Sequence, residues 1–451
     1  MPESLRSALL FFTVALASCQ SAAPPTGSSP AAAASIEGAK IEGDSPLSIA
    51  RRLALAKAAE PTAIDREITR LQGVTEKLKG RPEPWVELGR AWVRKAREAS
   101  DPGYYLNAKA CADLAQDAAP SDRAATNLLG LVLLNDHKFD DARDLAAQIL
   151  AKSPDDLMAL GTLSDATVEL GRYDEALTAT QKMGELKPNL PSYIRASYLQ
   201  WLRGDVKAAK ESARLAVDSG RDPRDTEPRC WALVQAAMIF WHEGDAGGAD
   251  AGFEDALKAC SDYPPALVGR GRAAMASGDF ARAAERFAAA YKQSPLVETG
   301  WLLGDAREAA GDAKGAEEAR ASLIKNGRRM DGRTLSQFFS TKDRDHDEAV
   351  SLAAAEKKVR DDIYTEDALA WALYRKGDLA QARIASDKAM ALGTKDARLL
   401  YHAGAIRIAA GDKPAGERLV REALRLNPSF DRTGAAEAAK LAPPEKSAGS
   451  L

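Results

Sequence analysis

The stretch Gly171-Arg172-Tyr173-Asp174-Glu175-Ala176 returns in altered form as Gly278-Asp279-Phe280-Ala281-Arg282-Ala283. Its first residue recurs mostly in steps of 33 or 34, at Gly171, Gly204, Gly244, Gly278, Gly311, Gly377 and Gly411. Two steps are longer: the step of 66 residues from Gly311 to Gly377 spans two units, and the step of 40 residues contains a run of turn-forming residues at 218–225. A period of this length predicts stacked helical hairpins, because a single hairpin cannot bury its apolar face alone.

Each residue of this signature has a structural reason in a helical hairpin. The glycine suits a left-handed end to the first helix, because it has no Cβ to clash there. An Asp after it can cap the second helix, and the Ala five residues on lets the two helices approach closely. A proline stops the second helix of several units, at Pro120, Pro154, Pro188, Pro295 and Pro428.

This pattern of small residues, aromatic positions and closing prolines resembles the tetratricopeptide repeat family. The resemblance implies an all-α fold, a right-handed superhelical α-solenoid of about ten hairpins over residues 82–430. The unit at 330–362 lacks its glycine, and extra residues around 101–105 lengthen the first unit. Helices expected within 47–81 cover the exposed apolar end of the array, as terminal repeats must. Residues 431–451 are expected to form a C-terminal cap and a disordered tail.

The N-terminus indicates the cellular compartment. After Arg6, an apolar run at 8–17 is too short to span a bilayer and suits a secretory signal. It ends in Leu16-Ala17-Ser18-Cys19, which resembles the lipobox of bacterial lipoproteins. The resemblance implies a signal peptide over 1–18 and lipidation of Cys19. The alternative is an ordinary cleaved signal with a coincidental cysteine.

The residues around the cleavage site extend this interpretation. Residues 19–46 are rich in Ser, Ala and Pro and are expected to form a flexible tether between the lipidated cysteine and the folded array. Gln20 stands where an Asp would be expected in an inner-membrane lipoprotein, which resembles lipoproteins sent to the outer membrane. We therefore expect a lipid-anchored protein of the bacterial cell envelope, at the outer membrane and facing the periplasm.

Composition and motifs argue against several classes of function. The chain has 62 Lys plus Arg against 65 Asp plus Glu, with no basic stripe interleaved with aromatic residues, so nucleic acid is not an expected partner. It has no nucleophile elbow, phosphate-binding loop or metalloprotease motif, and its four histidines lack the spacing of metal ligands. We expect a protein that is not an enzyme and needs no metal or cofactor.

Two of the cysteines bracket one hairpin. Cys230 lies at the start of its first helix, and Cys260 lies just past the end of its second. Antiparallel helices bring these ends together, so the pair can form a disulfide in an exported protein. The alternative is two separate thiols. Cys111 lies inside a predicted helix, where a small buried residue is expected.

Function is expected on the concave face, which the first helix of each hairpin lines. In the tetratricopeptide register, the inward positions form a candidate partner-binding set: Asn127, Asp165, Tyr198, Trp201, Trp231, Trp241, Arg272, Trp301, Asp305, Trp371 and Tyr374. An aromatic groove of this kind suits an extended or helical apolar segment. The alternative is that half or more of these rings pack between hairpins. No adjacent pair of units carries the Lys, Arg and Asn set of the peptide-end clamps in this family.

Two functions remain open at this point. The first is a membrane-anchored scaffold or adaptor that binds proteins or peptides on its concave surface. The second is a fixed structural or accessory subunit of an envelope complex, such as an assembly or secretion machine, with its groove filled by its own termini or by one partner. The sequence leaves the partner and the oligomeric state undetermined.

Overall fold

The computed structural model describes residues 45–58, 62–78, 80–222 and 225–442 of the chain. Within these ranges it consists of α-helices joined by turns, with no strand, and the predicted superhelical α-solenoid is confirmed. No helix in these ranges combines the length and the apolar character needed to cross a membrane. The predicted signal peptide, Cys19, most of the tether and the C-terminal tail lie outside the described residues.

Among the described residues, two helices precede the repeat array, α1 (Pro46–Ala54) and α2 (Ala63–Lys77). They pack on the first hairpin, where Trp92 Nε1 donates a hydrogen bond to the carbonyl oxygen of Ala54 at 3.1 Å. That carbonyl belongs to the last turn of α1 and has no partner within its own helix. The contact therefore fixes α1 against the apolar end of the array.

Ten helical hairpins follow. Each has a first helix on the concave side and a second helix on the convex side. Neighbouring first helices contact each other directly, so the hydrophobic interior continues from one hairpin to the next. In chain order the pairs are α3 (Pro82–Glu98) and α4 (Tyr105–Ala118), α5 (Arg123–Asn135) and α6 (Phe139–Lys152), α7 (Leu157–Glu169) and α8 (Tyr173–Leu186), α9 (Leu190–Leu202) and α10 (Val206–Ser219), α11 (Glu227–His242) and α12 (Ala246–Ala259), α13 (Pro264–Ala276) and α14 (Phe280–Gln293), α15 (Val297–Ala309) and α16 (Ala313–Met330), α17 (Gly332–Thr341) and α18 (His346–Glu356), α19 (Ile363–Lys376) and α20 (Leu379–Ala389), and α21 (Ala397–Ala409) and α22 (Lys413–Leu426).

The helix ends predicted from the repeat signature are present. All seven punctuating glycines have positive φ, between 70° and 92°, which is the left-handed conformation that glycine favours. After six of them an Asp side chain accepts a hydrogen bond from a backbone N–H in the first turn of the second helix. These caps are Asp205, Asp245, Asp279, Asp312, Asp378 and Asp412.

The two irregular units connect their first and second helices in different ways. In the eighth hairpin, which lacks the glycine, Asp343 and Asp345 adopt positive φ of 52° and 49°. Asp is among the few residues other than glycine that visit this region, because its short side chain can bond locally. In the first hairpin, a 3₁₀ helix at Pro102–Tyr104 lies between α3 and α4 and accounts for its greater length.

A disulfide joins Cys230, at the start of α11, to Cys260, just past the end of α12. It ties together the open end of the fifth hairpin, opposite the turn that connects its two helices. Cys111 is a free, buried thiol within α4. Burial raises the pKa of this thiol well above its ordinary value, so it is expected to be unreactive.

The superhelix is wound so tightly that its first turn, hairpins 1–5, touches its second turn, hairpins 6–10. Donors in the second turn bond carbonyl oxygens at the C-terminal ends of first helices in the first turn. The carbonyls of Glu169 and Leu202 have no partner within their own helices, so the second turn satisfies them, whereas that of Trp241 also accepts from Gly244 N at 2.9 Å. The bonds run from Asp361 N to Glu169 O (2.8 Å), from Thr394 Oγ1 to Leu202 O (2.5 Å) and from Asn427 Nδ2 to Trp241 O (2.8 Å).

Three of the punctuating glycines lie in this contact between turns. A Cβ added to Gly171, Gly204 or Gly244 would lie 2.4 to 2.6 Å from a backbone oxygen of the second turn. Real Cβ atoms essentially never approach so closely. The four remaining glycines of the signature face open space, with nothing within 4 Å of an added Cβ: Gly278, Gly311, Gly377 and Gly411.

This difference gives a matched pair of variants. Gly171→Ala and Gly278→Ala should both lose about 1 to 2 kcal/mol of stability, because alanine is strained at positive φ. Gly171→Ala should lose about 1 to 3 kcal/mol more, because its methyl group collides with Asp361 of the second turn. Urea unfolding of the two variants measures the difference. Equal losses would contradict the contact between turns.

Candidate functional site

The structure buries nine of the eleven predicted partner-binding residues. Trp231 and Tyr374 are half-buried. The prediction of an open aromatic groove is therefore corrected, because most of these side chains lie in the interior of the protein. The nine buried residues are Asn127, Asp165, Tyr198, Trp201, Trp241, Arg272, Trp301, Asp305 and Trp371.

Tyr198 and Trp201 on α9 contribute to the packing between the two turns. Their ring centroids lie 6.1 Å apart, and Trp201 stacks at 6.3 Å on Tyr364 of the ninth hairpin. His242 contacts the same indole at 4.7 Å. From their concave positions in the repeat, these two rings were expected to be accessible to a partner. In the structure, residues of the second turn cover them.

Trp371 and Tyr374 on α19 belong to an aromatic cluster in the second turn. Trp371 stacks on His402 at 4.0 Å and on Tyr374 at 4.9 Å. Above the cluster lies the C-terminal helix α23 (Arg432–Leu441), whose Glu437 accepts a hydrogen bond from Tyr401 Oη at 2.7 Å. The chain's own C-terminal helix thus occupies the concave side of the last hairpins.

An inner pocket of about 260 Å³ lies between hairpins 5–7 and the end of the array. Four of the predicted residues line it: Trp241, Arg272, Trp301 and Asp305. Its buried charges have partners, since Arg272 pairs with Glu298 and Asp305 accepts from Trp301 Nε1 at 3.0 Å. Among the described residues no cluster of His, Cys, Asp or Glu is arranged to hold a metal ion.

A larger, open groove of about 540 Å³ lies on the concave side of hairpins 1–4. The first helices α3, α5, α7 and α9 form its floor, and the loops between hairpins form its rim. We call it the N-terminal groove. Its polar and basic lining includes Arg90, Arg123, Asn127, Thr162, Lys187 and Arg195.

A buried ion pair closes one end of the N-terminal groove. Arg195 Nη2 lies 2.5 Å from Asp165 Oδ2, and Arg195 Nη1 donates to the carbonyl oxygen of Pro191 at 3.1 Å. Burial raises the pKa of Asp165 to about 7, although the guanidinium opposes this shift. Burial likewise lowers the pKa of Arg195 to about 9. Asp165 and Arg195 form an ion pair with each other, so neither charge is available to a ligand.

Asn127 Oδ1 and Thr162 Oγ1 in the groove lining are buried polar atoms without a hydrogen-bond partner among the described residues. Asn127 donates from Nδ2 to the Asp156 carboxylate at 3.2 Å, which leaves its Oδ1 without a donor. Thr162 Oγ1 on the next first helix is also without a hydrogen bond. Both residues are buried, with 4% and 3% of their surface exposed. Such buried, unpaired groups are uncommon in folded proteins, where water, an ion or another molecule usually bonds them.

Sequence reasoning found one residue of this floor, Asn127, and missed the rest. Thr162 was missed because a threonine in a first helix has no distinctive pattern. Lys187 was missed because it precedes the closing Pro188, a position that the repeat pattern explains as a helix stop. A scan for lysines and arginines beside the closing prolines would have identified Lys187.

Comparison with known proteins agrees with the repeat architecture. Tetratricopeptide repeat family models match residues 93–156, 133–200 and 268–328. Cellulose synthase operon protein C of Pseudomonas fluorescens is 27% identical over 184 residues, which is 39% of this chain but only 14% of that protein. A TPR repeat-containing protein of Pseudomonas aeruginosa is 34% identical over 98 residues, which is 21% of this chain and 93% of that protein.

Among solved structures, a human IFIT1 dimer with PPP-AAAA aligns with 86% of this chain and 96% of its own, at 15% identity and a TM-score of 0.46. This likeness concerns the fold alone. The family models describe the same repeat unit that forms the hairpins of this structure. The chain also covers 93% of the P. aeruginosa relative. The chain belongs to the tetratricopeptide repeat family.

Proposed function

We propose that this protein is a lipid-anchored scaffold of the bacterial envelope that holds another polypeptide in its N-terminal groove. Tetratricopeptide arrays bind partners along their concave surfaces. The observation that carries the proposal is the open groove of about 540 Å³ across four hairpins, with unpaired polar atoms on its floor. This volume lies within the range typical of ligand sites, about 300 to 1,000 Å³.

The envelope location rests on the sequence and on one covalent bond. The Leu16-to-Cys19 motif supports lipidation, and Gln20 supports transfer to the outer membrane. The disulfide between Cys230 and Cys260 supports an oxidising compartment, because such bonds are rare in the reducing cytosol. The array would then project from the membrane on the tether of residues 19–46.

A second candidate is a fixed accessory subunit of an envelope complex. It is favoured by α23, which already fills the concave side of the last hairpins. The open groove on hairpins 1–4 favours the scaffold instead. Cross-linking in the native envelope separates the two, since several substoichiometric partners support a scaffold and one stoichiometric partner supports a fixed subunit. Capture of no polypeptide would refute both.

Replacing the proposed lipidated residue tests the anchor. Cys19→Ser should move the protein from the membrane fraction to the soluble fraction, because the acyl chains would be lost. Ser21→Ala is the matched control and should stay with the membranes, since it leaves the motif intact. Metabolic labelling with an alkyne fatty acid measures acylation directly. Labelling of the Cys19→Ser variant, or its continued sedimentation after a salt wash, would contradict the anchor.

A further inference from the structure

We infer that this protein associates head to tail with a second copy of itself, so that the contact between its two superhelical turns is repeated between molecules. Inside one molecule, the chain between hairpins of the second turn lies on the connections within hairpins of the first turn. The same stacking leaves one edge of each turn outside this contact. The inference goes beyond the proposed function and depends on neither the anchor nor the N-terminal groove.

The contact within the molecule is regular, because five hairpins make one superhelical turn. The glycine of hairpins 3, 4 and 5 meets the segment where hairpins 8, 9 and 10 end. The residues that meet are Gly171 and Asp361, Gly204 and Gly393, and Gly244 and Leu426. Ser294, at the end of hairpin 6, likewise donates from Oγ to the carbonyl oxygen of Ser100 in hairpin 1, at 2.9 Å. Each of these hairpins therefore pairs with the hairpin five positions further along the chain.

Hairpins 6–10 carry one half of this contact on an exposed edge, which we call the acceptor edge. Four of its connections hold a punctuating glycine that is exposed, has positive φ and has open space around an added Cβ: Gly278, Gly311, Gly377 and Gly411. The carbonyl oxygens two residues before these glycines correspond to those of Glu169 and Leu202, which the second turn bonds in the first turn. The acceptor edge thus repeats the backbone geometry that the chain already recognises.

Hairpins 1–5 carry the other half, which we call the donor edge, in the segments between hairpins. Leu426 and Asn427 lie at the contact with Gly244, and the pair recurs at the end of hairpin 3 as Leu186 and Lys187. Each pair precedes a closing proline. Asn427 is buried and Leu426 is half-buried, whereas Leu186 and Lys187 are both exposed, Leu186 with 42% of its surface. The donor edge therefore presents residues of the contact with no hairpin seated on them.

A second copy is the partner that fits both edges. The donor edge of one molecule has the hairpin spacing that the acceptor edge of another requires, because both have the geometry of the contact already formed within the chain. The two edges differ from each other and lie at opposite ends of the superhelix, so the association is heterologous. Stacking of this kind along one axis does not close into a ring, and it produces open filaments.

Sedimentation velocity of the full-length protein in detergent, at increasing protein concentration, tests the association. We expect oligomers that lengthen as the concentration rises. Leu186→Glu should weaken the association about tenfold or more, because a charge would be buried at the donor edge. Ile384→Glu is the matched control and should associate normally. Ile384 is 54% exposed in the middle of the convex helix α20, away from both edges.

A mixture of two blocked variants tests the head-to-tail arrangement. Gly311→Asn combined with Gly411→Asn blocks the acceptor edge, because a side chain would project where the donor edge must sit. Asn tolerates positive φ and the side chain has open space within one molecule, so the fold should persist, which circular dichroism checks. This variant and Leu186→Glu should each fail to form filaments. Mixed in equal amounts they should form a dimer, because each supplies one intact edge.

Three results would overturn the inference. The first is an unaltered protein that stays monomeric at every concentration. The second is an oligomer that Leu186→Glu weakens no more than Ile384→Glu does. The third is a mixture of the two folded, blocked variants that forms no dimer. None of these results bears on the capture of other polypeptides in the native envelope, so the proposed function would stand or fall separately.

Discussion

Replacing Arg360 with alanine is expected to lower the free energy of unfolding by about 3 to 5 kcal/mol, as when one partner of a buried ion pair is removed. Arg360 is 2% exposed and links the two superhelical turns. Its guanidinium lies 3.1 Å from Glu169 and 3.3 Å from Glu356, and it contacts His137 Nδ1 at 2.9 Å. Without it, two half-buried carboxylates, whose side chains are 14% and 17% exposed, would lose their shared partner.

The loss of unfolding free energy in the Arg360→Ala variant should depend on pH. Burial raises the pKa of Glu169 and Glu356, and Arg360 opposes both shifts. In the Arg360→Ala variant the pKa values should rise further above those of the unfolded chain, about 4.3. A carboxyl with a raised pKa in the folded state destabilises it as the pH rises from the unfolded pKa to the folded one. The deficit should therefore be largest near pH 7 to 8 and shrink toward pH 5.

Urea unfolding at pH 5 and pH 7.5 measures this effect, and small-angle X-ray scattering reports whether the turns separate. The control is Arg214→Ala, which breaks an exposed ion pair within α10 and should cost less than about 1 kcal/mol. An Arg360→Ala variant as stable as this control at pH 7.5, with an unchanged radius of gyration, would contradict the role of Arg360 between the turns.

Removal of the disulfide is expected to lower the free energy of unfolding by about 3 to 4 kcal/mol. Cys230 and Cys260 are 30 residues apart, so the bond restricts the unfolded chain over the whole fifth hairpin. Cys260 is half-buried, which gives a reductant access. Urea unfolding of the unaltered protein with and without dithiothreitol measures the contribution.

A variant with Cys230→Ala and Cys260→Ala is the control for that experiment. It should match the reduced protein in stability and should not respond to dithiothreitol. A stability of the unaltered protein that is the same in both conditions would show that the bond does not form in solution. Two free thiols besides Cys111 in unreduced, denatured protein would show the same.

The repeat signature predicted much of the fold because it acts locally. Glycine at positive φ, the Asp cap and the small Ala each report on a contact within one hairpin, so their spacing was enough to place the helices. The contact between turns is different. It joins residues 186 to 192 positions apart, and it arises from a small rotation at each hairpin that no single residue encodes.

The same cause explains the errors at the candidate site. Trp201 occupies a concave position in the repeat, and an open solenoid would leave it accessible. Closure of the superhelix buries it against Tyr364 instead. Likewise Gly171 and Gly278 have the same role in the signature, yet only the first touches the second turn. Asn127 lines the N-terminal groove, and its role in partner binding stays a prediction.

The carbonyls capped by the second turn have a consequence for how this array loses its structure. In an open solenoid each repeat depends only on its neighbours, so units can be gained, lost or frayed from an end one at a time. Here the removal of one hairpin would shift every donor of the second turn away from its carbonyl. The number of repeats is therefore constrained, and unfolding is expected as one cooperative transition instead of gradual erosion.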